Sequence, residues 1–257
     1  AERRLDAANR FTGIMEEAGS ATYPGAAVLA VAGALGTGLG MVRYLGPEPV
    51  THLVHARFPE VVPAAGRVQA WAVGSGVDPD DQDRTAQVRQ TLARAADDGV
   101  PAVVDAGGLG LLPERAPENW VLTPHAGELA TLLSRRGRPT ERGEIEADPL
   151  SHARDAARRT GAVVLLKGAS TVVAAPDGET YAQADGSPWL ATAGTGDVLT
   201  GVLGAVLAGA GGASTAQLAA TAALLHGRAG VRAARGGPLT ARQVADALPA
   251  VLGEILR

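Results

Sequence analysis

The 257-residue chain contains no cysteine, which excludes disulfides and thiolate metal sites. Aromatic residues make up only 3% of it, too few for the stacking platforms that hold single-stranded nucleic acid. It has no run of Lys or Arg and a formal net charge of −4, so the electrostatic footprint of a nucleic-acid or anionic-membrane binder is missing. Long apolar runs are absent too. The nearest to a membrane span, 198–213, is short and glycine-rich. The first residues lack the basic-then-apolar pattern of a secretory signal. The expectation is a soluble, cytoplasmic protein with neither nucleic acid nor membrane as partner.

Glycine, by contrast, is plentiful at 34 residues, and with the many alanines it predicts close backbone packing. Hydrophobic residues at 46% and charged residues at 19% suit an ordinary globular chain, whose length fits one α/β domain.

The stretch 191–210 carries the strongest signal. Gly194-Thr195-Gly196 forms a turn that delivers Asp197 to the start of an apolar helix. Val198, Leu199, Val202, Leu203, Val206 and Leu207 recur at helical spacing and make one buried face. Gly201, Gly204, Ala205 and Ala208 leave the other faces open to close approach. A glycine turn at a helix N-terminus exposes unpaired N–H groups in a partly positive field, where phosphate binds readily. A carboxylate there does not help hold phosphate by charge; its use is to take a proton from a hydroxyl facing the phosphate. The alternative is structural, with two turn glycines and Asp197 as a cap or first-turn acid.

Ahead of that stretch, 1–10 is a charged, helix-prone arm. Residues 11–19 should form a strand, although Glu16 and Glu17 would be costly in a buried parallel one. Pro24-Gly25 starts a helix over 26–35, and a strand at 41–45 follows. Strand 68–73 closes on Gly74-Ser75-Gly76. Asp78-Pro79-Asp80-Asp81 predicts a helix capped by Asp78, with Pro79 at its first position, running to about residue 96. Strand 102–104 delivers Asp105, and strand 120–123 turns through Pro124-His125-Ala126-Gly127-Glu128 into a helix. Residues 135–148 are loop-like. A helix over 151–159 precedes a strand over 162–166 that ends at Lys167-Gly168. A hairpin of 171–175 and 180–184 turns at Asp177-Gly178. Ser214 and Gln217 make a capping box for the next helix, and a last one spans 240–256.

This alternation, without repeat or linker, predicts a single α/β domain over 1–257 with a mostly parallel sheet, residues 1–17 forming an arm or a linker end. The turns after the strands carry Gly19-Ser20, Gly74-Ser75-Gly76, Asp105, His125, Lys167 and Gly196-Asp197. In open parallel sheets such turns share the C-terminal edge, where ligands bind.

Four segments occur in a telling order: Gly19-Ser20-Ala21-Thr22-Tyr23-Pro24-Gly25-Ala26, Thr123-Pro124-His125-Ala126-Gly127-Glu128, Leu166-Lys167-Gly168-Ala169-Ser170-Thr171 and Gly194-Thr195-Gly196-Asp197. Together they resemble the ADP/ATP-dependent NAD(P)H-hydrate dehydratases of the ribokinase-like superfamily, from about residue 19 to the end. The Thr-Pro-His-x-Gly-Glu segment is what singles out this branch. The resemblance implies a ribokinase-like fold with helices on both faces of the sheet and a small antiparallel hairpin. It also implies repair of hydrated NADH and NADPH, (6S)-NADHX and (6S)-NADPHX. ADP, or ATP, would donate a phosphoryl group to the ring hydroxyl with Mg²⁺ beside the phosphates, and phosphate would then be eliminated, a lyase reaction driven by a kinase-type step.

Position by position, the resemblance makes Asp197 the base and Gly194 and Gly196 the N–H donors to the transferring phosphate. Lys167, Gly168, Ala169, Ser170 and Thr171 would hold the nucleotide. Ala26, Gly76, His125 and Asp197 would contact the hydrate, and Glu128 would lie on the metal or phosphate side, without a dedicated protein cage for the metal. Each has a plainer reading: His125 as a capped surface histidine, Glu128 as a first-turn acid, Lys167 as a solvated strand end, Ala26 and Gly76 as packing residues. A homo-oligomer, often a tetramer, and a fused or partner epimerase are implied as well, the latter in keeping with a first residue that is Ala. The chain departs from the family pattern at Glu16-Glu17, at Gly74-Ser75-Gly76 and at Asp105-Ala106-Gly107-Gly108. The competing enzyme is a small-molecule kinase that phosphorylates an alcohol and releases the product. A binding module without catalysis would gain nothing from Asp197.

Overall fold

The computed structural model describes residues 13–209 and 211–257, so the expected arm over 1–10 and the first two residues of the expected strand 11–19 lie outside the described residues. The strands are β1 (Gly13–Glu17), β2 (Met41–Tyr44), β3 (Ala70–Val73), β4 (Ala102–Val104), β5 (Trp120–Leu122), β6 (Val163–Leu166), β7 (Thr171–Ala174) and β8 (Thr180–Gln183). They form one sheet in the order β2-β1-β3-β4-β5-β6-β7-β8. Pairing is parallel from β2 through β6 and antiparallel for β7 and β8, the expected hairpin. The chain steps from β1 out to β2, crosses back to β3 and then proceeds in one direction. That reversal makes the crevice between β1 and β3 the topological switch point.

The helices are α1 (Pro24–Gly36), α2 (Glu48–Arg57), α3 (Gln82–Asp97), α4 (Ala126–Arg135), α5 (Arg142–Ala147), α6 (Pro149–Thr160), α7 (Thr195–Ala208), α8 (Thr215–Ala234) and α9 (Ala241–Ile255). Alternate strand residues divide the core. Ile14, Ala72, Val103, Val121 and Leu165 face α1, α2, α7, α8 and α9, whereas Met15, Val73, Val104, Leu122 and Val164 face α3, α4, α5 and α6. The result is a three-layer α/β domain.

The small residues of α7 do what their size allows. A Cβ on Gly201 would overlap the Ala30 carbonyl oxygen of α1, and one on Gly33 would overlap the Val198 carbonyl oxygen of α7. The two backbones therefore touch, and Ile14 of β1 fills the space beneath Gly204. This close seam fixes the N-terminus of α7 above the switch point.

Three local expectations need correction. The cap of α3 is Asp81, whose carboxylate accepts from Arg84 N at 3.0 Å. Asp78 instead accepts from Asp80 N at 3.0 Å and from the Thr22 hydroxyl at 3.2 Å, so its oxygens are spent in the preceding turn. The expected loop 135–148 contains α5, held by a Glu141–Glu144 capping box and anchored by the fully buried Ile145. Residues 46–67, to which no element was assigned, contain α2, anchored by Val50 and Val54 alone on a mostly polar turn sequence.

Candidate active site

The site grows from the start of α7. Gly194 caps that helix with φ +88°, a left-handed conformation that glycine adopts without penalty. Thr195 is locked beneath the turn: its hydroxyl donates to Leu190 O at 2.7 Å, and its carbonyl accepts from His226 Nε2–H of α8 at 2.9 Å. Burial pushes His226 down to about 4, so this histidine is a neutral strut. With the turn braced on both sides, Asp197 enters the first helical turn partly exposed at the sheet edge.

Beneath Asp197 lies a buried hub. Asp105 ends β4 almost fully buried, and its Oδ1 accepts from Lys167 Nζ at 2.8 Å and from the Thr123 hydroxyl at 2.8 Å. Its Oδ2 accepts from the Ser75 hydroxyl at 3.2 Å and the Thr200 hydroxyl at 3.1 Å. These partners come from the ends of β3, β5 and β6 and from α7, so the hub ties the C-terminal edge of the sheet together. Burial opposes the charge on Asp105, but the Lys167 ammonium and the hydroxyl donors overcome it and hold the carboxyl below its usual range. Burial likewise works against charge on Lys167, and Asp105 and Glu128 outweigh it, keeping the lysine protonated. Asp197 moves the other way. Burial, then the neighbouring Asp105 charge, raises it to about 6, the range in which a base is both deprotonated and able to take a proton at neutral pH.

Lys167 is also a structural junction. Its N–H donates to Pro124 O at 2.8 Å, a bridge that draws the His125 segment against the end of β6. His125 caps α4: its Nδ1 accepts from Glu128 N at 3.1 Å, and Glu128 returns a carboxylate to His125 N at 2.8 Å. The imidazole stays exposed, and Glu128 Oε2 stands 3.8 Å from Lys167 Nζ. Gly168, Ala169 and Ser170 form the exposed turn between β6 and β7, and Thr171 opens β7. A Cβ on Gly196 would sit 3.5 Å from Lys167 Nζ, so the ammonium lies beside the glycine turn. At the switch point, Ala26 and Gly76 pack on each other, a Cβ on Gly76 lying only 2.6 Å from that of Ala26.

The structure thus gathers Asp197, Gly194, Gly196, Lys167, Glu128 and His125 along one edge, with Ala26 and Gly76 where β1 and β3 end. Sequence reading singled out Asp105 as a strand-end residue but did not assign it to the site, and it passed over Thr123, Thr200 and Ser75 as partners. The available signal was charge: an acid closing an all-apolar strand needs a buried cation, and Lys167 closes another such strand.

The awkward pair in β1 also resolves. Glu17 meets Arg84 of α3 at 3.1 Å, with both side chains buried. Glu16, on the α7 face, is fully buried with neither carboxylate oxygen hydrogen-bonded. Burial, and then the charge of Asp197, pushes it up to about 8, so it is neutral at physiological pH.

Against this geometry, the family model described as NAD(P)H-hydrate dehydratase matches residues 17–249. The chain belongs to the NAD(P)H-hydrate dehydratase family. It is 44% identical over 203 residues to the bifunctional NAD(P)H-hydrate repair enzyme Nnr of Mycobacterium tuberculosis, covering 75% of this chain and 39% of that protein. The chain thus spans about two-fifths of that relative's length. The ADP/ATP-dependent NAD(P)H-hydrate dehydratase of Bacillus subtilis, crystallised with ATP and Mg²⁺ and soaked with CoA, superposes with a TM-score of 0.83 at 27% identity. That match covers 96% of this chain and 93% of the other. A ribokinase-like superfamily protein of Enterococcus faecalis, 22% identical with a TM-score of 0.82 over 95% of this chain and 88% of its own, shares the fold. In this chain a glycine turn, an acid and a lysine stand together on one sheet edge.

Proposed function

We propose that this chain dehydrates NAD(P)H hydrates, with ADP as phosphoryl donor. The observation that carries the reading is Asp197, ionised at neutral pH and set in the first turn of α7 beside the Gly194–Gly196 phosphate cradle. Asp197 takes the proton of the ring hydroxyl, and the freed oxygen attacks the terminal phosphorus of ADP. The bond from that phosphorus to the bridging oxygen breaks, and AMP leaves. Phosphate is a far better leaving group than hydroxide. The ring-nitrogen lone pair expels it, and loss of a proton from the adjacent ring carbon restores the dihydropyridine.

Lys167 holds negative charge at the cradle, backed by Asp105 so that it stays protonated. The turn of Gly168, Ala169 and Ser170 with Thr171 holds the nucleotide, and Ala26, Gly76 and His125 receive the hydrate. No group of three or more His, Asp or Glu side chains that could by itself hold a metal ion stands among the described residues. Glu128 is the carboxylate available to a metal held mainly by phosphate and water. Mg²⁺ held there would neutralise charge on the transferring group. We extend the reading to a cytoplasmic homo-oligomer acting with an epimerase; the bifunctional name of the Mycobacterium tuberculosis relative supports the second activity.

The test is recovery of NADH absorbance from chemically prepared NADH hydrate with ADP, ATP or neither. Recovery that needs ADP and releases one phosphate per NADH is expected. Absence of recovery with both nucleotides, or accumulation of a stable phosphorylated hydrate, would overturn the reading.

A further inference from the structure

Of the chain's three tryptophans, Trp71 and Trp120 are buried in the sheet and Trp189 is 46% exposed. A single exposed apolar side chain is ordinary on a protein surface. Its place in the fold is what gives Trp189 meaning. It lies on the short 3-10 turn Pro188–Ala191, in the segment that joins β8 to the phosphate cradle.

That turn is rigidly fastened. Trp189 N donates to the Ser187 hydroxyl at 3.3 Å, the Thr192 hydroxyl donates to Trp189 O at 2.8 Å, and the Thr195 hydroxyl holds Leu190 O. Leu190 packs on α8, where a Cβ on Gly230 would lie 2.7 Å from its side chain. The plug at Leu190 leaves its neighbour facing water, and the indole is held out at little further conformational cost.

Topology places this indole beside a defined stretch of ligand. β8 runs parallel to β6, since each is antiparallel to β7, so the end of β8 shares the sheet edge with Lys167. The hydrate side of the site lies over β1 and β3. A nucleotide whose terminal phosphate faces Asp197 must therefore extend the other way, across the β6–β7 turn. From β6 to β8 the sheet spans about 10 Å, roughly the distance from a diphosphate across its ribose to the base.

We propose that the Trp189 indole is the stacking surface for the base of the donor nucleotide and favours purines, whose larger π-face gains more from stacking, over pyrimidines. The proposal rests on the dehydratase reading above and adds the residue that selects the base.

The experiment compares wild type, Trp189→Ala and Trp189→Phe by calorimetry with ADP and UDP, and by KM and kcat in the hydrate assay. Saturable quenching of tryptophan fluorescence by ADP is expected in wild type, with the buried Trp71 and Trp120 providing the residual signal. Trp189→Ala should weaken ADP binding about 10-fold, raise KM with little change in kcat, and narrow the preference for ADP over UDP. Trp189→Phe should restore much of the affinity. Unchanged ADP affinity and KM in Trp189→Ala, with turnover intact, would overturn the stacking role alone. Failure of wild type to bind ADP, together with absence of NADH recovery with ADP and with ATP, would overturn the dehydratase reading and the stacking role with it.

Discussion

Asp197 is held between burial and the Asp105 charge, which raise it, and the Ser75 hydroxyl and the Lys167 ammonium, which lower it; the balance lies near 6. Its base form is therefore lost below about pH 6, and kcat/KM should fall roughly 10-fold per pH unit beneath that point. Asp197→Asn should lose 10²- to 10⁴-fold in kcat, in the range of a positioned base, while ADP binding persists. Equal loss of binding and turnover would make the residue structural. Glu16 bears on stability instead. It is ionised above about 4.5 in the unfolded chain but stays neutral in the fold until about 8. Its contribution is thus complete below pH 4.5 and drains away as pH rises towards 8. Glu16→Gln removes that loss, so the variant should exceed wild type by on the order of 2 kcal/mol at pH 8 and by much less at pH 5, read from urea unfolding. A gain equal at both pH values would mean that Glu16 is merely poorly packed. Sequence alone marked both residues, because an acid after Gly-x-Gly and an acid inside an apolar strand each break a local pattern. It did not show that Glu16 and Glu17 point to opposite layers, one unpaired and one against Arg84, since the partners come from elements 60 or more residues away.

The decisive element is α7, and its seam with α1 transmits the position of the whole site. Gly201→Ala would drive a methyl into the Ala30 carbonyl and should cost about 3 kcal/mol, with a matching fall in activity as the cradle shifts. Gly143→Ala is the control of opposite sign: a Cβ there meets open space within α5, so it should gain about 0.5–1 kcal/mol. If both changes prove neutral in thermal melts, the seam is not tight. The helical spacing and small residues of α7 were legible in the sequence, as was the Ser214 cap of α8. α2 and α5 were not, because each buries only one or two apolar side chains and depends on the sheet behind it more than on its own periodicity.

For the whole molecule, the parallel sheet serves as a frame that lines up strand ends contributed by distant segments. Because no cluster of metal ligands stands on its own among the described residues, EDTA should leave the thermal midpoint within about 1 °C while abolishing turnover with ADP. A fall of several degrees in the nucleotide-free protein would reveal a resident structural metal. The sequence by itself determined the α/β class, the order of the elements other than α2 and α5, and the candidates Asp197, Lys167, His125 and Glu128, because strand periodicity, turn chemistry and short motifs are local. Only the tertiary structure decided that Asp105 is the hub under Lys167, that Glu128 stands beside the Lys167 ammonium, and that Ala26 rests on Gly76. Those pairings join residues from separate strands and helices, and no pattern within one segment encodes which distant partner will satisfy a buried charge or fill a space left by glycine.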